Sequence, residues 1–209
     1  PPPEWWQANP RGRRRARPRH RAPAAFTKQY TIYTDGSGPG GGKPSSASTP
    51  AGWGFLALGT HLEYEAAGAV VTDKNAVEWK GASVGSNNTG ELTAILEGAV
   101  WAYHKVGLTE AEFRYDSKYA ANIAEEVWAP KGNHLLVDAV RAAIRQLTTK
   151  ATVSFRHVYA HKGEIWNERA DALANQGILL FQPPPPYMWR VRVHLSGEKE
   201  SVVCDYFCY

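Results

Sequence analysis

From Gln29 the chain alternates apolar and polar positions through QYTIYTD to Asp35, the period of two expected of a strand with one buried face. A Gly-, Ser- and Pro-rich loop follows through Thr49. GWGFLALG then reads as a second strand, Leu62 to Val71 as a third, and Val77 to Ser83 as a further short one. The period changes at Asn88, where Leu92, Ile95, Leu96, Ala99, Val100 and Tyr103 recur at helical spacing. EFRYD has the apolar content of a buried strand and passes directly into a helix expected over Ser117 to Glu126, after which Pro130 and Gly132 break the chain. A further helix sets Leu136, Val140, Ile144 and Leu147 on one face. ATVSFRHVYA is the last strand of this region, and Trp166 to Gln176 its last helix, closed by Gly177. Strands in succession, then alternating helix and strand, predict an α/β fold: a mixed sheet flanked by helices.

Outside this stretch the pattern fails. Residues 1–27 have no apolar period and are rich in Pro and Arg, with Trp5 and Trp6 as the exceptions. After Phe181 a Pro-Pro-Pro-Pro run forms a stiff spacer. WRVRVHL and SVVCDYFCY alternate around Ser196-Gly197-Glu198, which predicts a C-terminal β-hairpin. A two-stranded hairpin is marginal alone, so this one is expected to dock on the domain or on a partner. The chain thus divides into a basic tail (1–27), a folded domain (28–180) and a spacer with hairpin (181–209).

Composition changes this picture in two places. No apolar run reaches the roughly 18–20 residues of a membrane span, so no membrane partner is expected. The net charge of +4 is concentrated, since residues 1–22 hold seven arginines and one glutamate and the remainder sums to −2. A basic tail on a near-neutral body points to nucleic acid or another polyanion, RNA included, with protein partners for both extensions if the chain sits in an assembly. Cys204 and Cys208 form neither a metal-binding pattern nor a disulfide framework, and an intracellular setting is expected, with mitochondrion and nucleus both compatible with the tail. A chain opening on Pro-Pro-Pro is expected to be processed or a fragment.

Four carboxylates stand out by position. Singly, each has an ordinary reading: Asp35 as a turn residue, Glu91 as the reach-back acid of a capping box begun at Asn88, Asp116 as a helix N-cap, and Asp171 as a solvated helix charge. Together they cluster where strands end and helices begin, the edge at which α/β sheets expose their functional groups. Two ionised carboxylates at 4 Å repel by about 4 kcal/mol at an effective dielectric of ~20. A converging set therefore calls for divalent cations with hard-oxygen preference, two of which suit phosphodiester hydrolysis.

The strings YTDGSG, NNTGELTAI, RYDSKYAAN, VYAHKG and NERADALAN resemble, in order and spacing, the motifs of the ribonuclease H family from about Lys28 to Leu180. The resemblance implies a five-stranded mixed sheet with helices, and a metal-dependent endonuclease that cleaves the RNA strand of RNA–DNA hybrids. It assigns Asp35, Glu91, Asp116 and Asp171 to two Mg²⁺ ions, for which Mn²⁺ can substitute, and His161 to proton transfer and product release. Asn87 and Asn88 match contacts to the RNA strand near its 2′-hydroxyls, with Ser37, Ser117, Lys118 and Trp128 as secondary substrate contacts, Trp128 having core burial as its alternative. The chain departs from the family in four ways. Lys118 stands where many members carry an amide, only APKG separates Trp128 from Asn133 where some carry a basic protrusion, and the segments after Asp35 and from Thr60 to Ser83 are long. The tail resembles no hybrid-binding domain. A second reading is a ribonuclease H fold serving as an RNA-binding subunit of a large ribonucleoprotein, for example an organellar ribosome.

Overall fold

The computed structural model of the 209-residue chain describes residues 27–39, 45–159 and 162–180, together with the backbone of two later strands, 189–193 and 202–206. The basic tail, the polyproline spacer, His161 and the turn of the expected hairpin lie outside the described residues.

The elements run β1 (Lys28–Ser37), β2 (Gly52–Leu58), β3 (Leu62–Ala69), α1 (Asn87–Tyr103), β4 (Leu108–Tyr115), α2 (Lys118–Ala124), α3 (His134–Thr148), β5 (Thr152–His157) and α4 (Ile165–Leu179), with β6 (Trp189–Val193) and β7 (Val202–Tyr206) beyond. Five strands form a mixed sheet in the order β5-β4-β1-β2-β3. β1 pairs antiparallel with β2 and β2 with β3, whereas β1–β4 and β4–β5 are parallel. β6 lies antiparallel beside β3, and β7 beside β6.

The alternation in β1 separates two cores. Tyr30 and Ile32 enter a large cluster with Phe55 and Phe113 of the sheet, Leu92, Ile95 and Leu96 of α1, and Leu136, Val140 and Leu147 of α3. Tyr33 faces the other way, with Leu56 and Ala67, against Ala170 and Leu173 of α4. Helices thus cover both faces. The parallel neighbours β1 and β4 end side by side with β2 antiparallel on the far flank of β1, the kind of strand-end crevice in which open α/β sheets place ligands.

Several sequence-based expectations shift. Val77 to Ser83 is not a strand: the Trp79 ring nitrogen donates to the Ala82 carbonyl at 2.7 Å, and Gly81 has φ +105° where its backbone presses on the start of α3. α1 begins one residue earlier than expected, capped by Ser86, whose hydroxyl accepts from the Thr89 N–H while Thr89 Oγ1 accepts from the Ser86 N–H. Gly177 does not close α4, which runs on to Leu179. It is there for proximity, because a Cβ at Gly177 would lie 2.3 Å from the Gly68 carbonyl oxygen of β3.

Candidate active site

The capping arrangement of α1 decides the role of Glu91. With Ser86 and Thr89 satisfying the helix start, Glu91 is released from capping and turns inward, 2% exposed. α1 approaches the ends of β1 and β2 closely at glycines. A Cβ on Gly36 would lie 2.1 Å from the Glu91 backbone nitrogen, and one on Gly90 would lie 2.3 Å from the Gly52 carbonyl oxygen. Close backbone approach therefore brings Glu91 to Asp35.

Asp116 follows β4 by one residue and is likewise not the helix cap. Ser117 takes that place, accepting from the Ala120 N–H at 3.4 Å. Carboxylate oxygens of Asp35, Glu91 and Asp116 all lie within 4.8 Å of one another, a group that can hold a metal ion. Asp171 stands outside that close group but lines the same cleft of about 180 Å³, with Asn87, Asn167 and Glu168. α4 presents Asn167, Asp171 and Asn175 at four-residue spacing, one face of a helix. Asn167 Nδ2 donates to Asp116 Oδ2 at 3.2 Å, and Asn175 Nδ2 to Asp171 Oδ1 at 3.0 Å.

Electrostatics in the cleft follow from burial. Asp35 is pushed up to about 8, first by burial and then by the charge of Asp116, against the Gly36 N–H that donates to its Oδ1 at 2.7 Å. Glu91 is raised well above the ordinary glutamate range by burial and then by Asp35 and Asp116. Asn87 Nδ2, at 3.4 Å from Glu91 Oε1, opposes this rise, while Glu91 Oε2 is buried with no partner in the protein. Carboxyls held this way lack a counter-charge, and an orphaned buried oxygen among three acids fits a cation.

The remaining expected residues are spread around this centre. Ser37 donates to Asn175 Oδ1 at 2.5 Å, and so sits one hydrogen bond from the amide that holds Asp171. Asn88 is exposed beside Asn87 at the start of α1, and Lys118 is exposed at the start of α2. Trp128 is 47% exposed, which removes the core alternative; it is fixed through its backbone, N–H to the Asn122 carbonyl and carbonyl from Arg141 Nη2. Sequence reasoning passed over Asn167, Glu168 and Asn175. Their four-residue relation to Asp171 was the available signal for the two asparagines.

Comparison with known proteins agrees with this geometry. Residues 27–179 match the RNase H family model. A ribonuclease H of Polaromonas sp. is 31% identical over 163 residues, covering 72% of this chain and 88% of that protein. Among solved structures, the N-terminal RNase H domain from Mycobacterium tuberculosis superposes with a TM-score of 0.54 at 23% identity, covering 73% of this chain and 94% of that one. LC11-RNase H1 in complex with an RNA/DNA hybrid superposes with a TM-score of 0.50 at 22% identity, covering 72% of this chain and 96% of that one. The two structural likenesses establish the fold.

Proposed function

Because the chain belongs to the ribonuclease H family, we propose that it is an endonuclease that hydrolyses the RNA strand of RNA–DNA hybrids with two divalent ions, Mg²⁺ in the first place and Mn²⁺ as a substitute. The observation that carries this reading is the convergence of Asp35, Glu91 and Asp116 within 4.8 Å, with Asp171 in the same cleft. The donor set fits the cations: every candidate ligand is a hard carboxylate oxygen, and Glu91 Oε2 has no other partner. When bound, such ions neutralise the cluster and stabilise the negative charge that builds on the phosphate and its leaving oxygen.

The chain's own groups supply the rest. Asn167 and Asn175 hold two of the carboxylates in place, and Ser37 holds Asn175. Asn87 and Asn88, at the start of α1, are assigned through the family motif to contacts near the 2′-hydroxyl that distinguishes RNA from DNA. His161 is assigned to proton transfer through the family motif, with Ser117, Lys118 and Trp128 contacting the substrate further out. The domain runs over 28–180, and the arginine-rich tail adds affinity for phosphates. A purely structural subunit of a ribonucleoprotein would gain nothing from keeping mutually repelling acids buried, which ranks that reading second.

Strand selection tests the proposal. Hybrid labelled on either strand, RNA duplex and DNA duplex of one sequence are incubated with the protein in Mg²⁺. Cleavage is expected in the RNA strand of the hybrid alone, and cutting of the DNA strand or of either homoduplex at a similar rate rejects it.

A further inference from the structure

Two asparagines of α4 each hold a carboxylate of the cleft, yet they differ in one respect. Asn175 is used at both ends of its amide: Nδ2 donates to Asp171 Oδ1 and Oδ1 accepts from the Ser37 hydroxyl. Asn167 is used at one end. Its Nδ2 donates to Asp116 Oδ2 at 3.2 Å, while its Oδ1 is buried with no partner in the protein, on a residue only 2% exposed. The orientation follows from chemistry, because a carboxylate only accepts and the amide must turn its NH₂ towards it. A buried amide oxygen left without a donor is a feature that folded proteins normally avoid. Glu91 Oε2, across the same cleft, is orphaned in the same way.

We propose that Asn167 is a positioning residue for the cation site: its NH₂ fixes Asp116 against Asp35 and Glu91, and its carbonyl oxygen accepts a hydrogen bond from a water that enters with the cation. This rests on the metal-binding reading of the cleft and adds to it the residue that ties α4 to the three close acids. Donors of this kind, behind the direct ligands, orient those ligands and typically govern affinity by roughly 10- to 100-fold. Water is the donor this reading favours, since no donor of the protein reaches the buried oxygen. A hydrated divalent cation supplies water hydrogens in a cleft that offers few others.

The test is a Mn²⁺ binding isotherm on the metal-free full-length protein, for wild type, Asn167→Ala and Asn167→Leu, the last of which keeps the side-chain volume without its hydrogen bonds. Both variants are expected to bind Mn²⁺ about 10-fold or more weakly, while the metal-free Leu variant melts close to wild type. Wild-type affinity retained in the folded variants overturns the assignment of Asn167 alone. A wild type that binds no Mn²⁺ overturns the cation site itself. Should neither variant fold, the side-chain NH₂ resonances of Asn167 in the wild type decide: they should shift with Mg²⁺ in step with saturation, and resonances that stay fixed while those of Asp35 and Glu91 move overturn the proposal.

Discussion

Asp35 carries the sharpest pH prediction. Its carboxyl is raised to about 8 in the folded protein, by burial before charge, while in the unfolded chain it titrates near 4. Without metal, the folded state therefore holds a proton that the unfolded state releases between those limits. The associated stability is complete below about pH 4 and is lost as pH rises towards 8. Asp35→Asn removes the charge that would be buried. In urea unfolding with chelator, the variant should match wild type near pH 4 and be more stable than wild type at pH 8, and an equal difference at both pH values contradicts this. Cations compete with the same proton, so Mn²⁺ affinity should climb as pH rises to about 8. At this scale the sequence was legible where a motif names the residue: Asp35, Glu91 and Asp116 meet as expected, with Asp171 lining the same cleft. Asn167 had only its four-residue spacing from Asp171 to mark it, a weak signal because an asparagine near a helix start is ordinary surface chemistry; its burial and its orphaned oxygen are what single it out.

Between elements, the site depends on how closely α1 and α4 approach the sheet. Gly90→Ala sets two effects against each other. Alanine in place of glycine favours the helix by about 1 kcal/mol. The added Cβ would meet the Gly52 carbonyl oxygen at 2.3 Å, backbone that cannot swing aside, and overpacking of this kind costs about 1–3 kcal/mol or more. The clash is expected to win, so chemical denaturation should show a net loss, and a stabilised variant would mean that α1 is not seated on β2 as described. α4 is tied to β3 by Arg169, whose Nε and Nη2 donate to the two carboxylate oxygens of Glu65 at 2.7 Å each. Glu65 is 3% exposed, so Arg169→Ala strands a buried charge and should cost on the order of 3 kcal/mol by the same measurement. A change below about 0.5 kcal/mol, the range of ordinary surface substitutions, would contradict it. Element type was readable from periodicity, whereas boundaries failed where proximity overrode local preference. Gly177 looked like a helix stop but is a contact with β3, and the one miss of type is the alternating stretch 77–83, expected as a strand but spent on turns against α3.

At the scale of the molecule, the order of strands and helices was legible because the hydrophobic period changes from 2 to 3.6 at each junction. Neither composition nor period could show that parallel β1 and β4 end beside each other with α4 behind, the arrangement that assembles the cleft from residues 136 positions apart. Among the described residues, no helix is long and apolar enough to cross a membrane. Charge is distributed unevenly along the chain, with seven arginines in residues 1–22. Each phosphate they neutralise should add about −0.9 to the log–log salt slope of binding on duplex DNA. Deleting residues 1–25 is thus expected to flatten the salt dependence of nucleic-acid binding without changing the cleavage rate at saturation, and an unaltered slope assigns the tail to another purpose. The role of the carboxylate cluster is decided by the rate of hybrid cleavage by purified wild type and Asp35→Asn in Mg²⁺. Wild type should cleave the RNA strand and Asp35→Asn should lose that activity by several orders of magnitude; no cleavage by wild type, or cleavage that survives Asp35→Asn, rules out the carboxylate cluster as the catalytic centre.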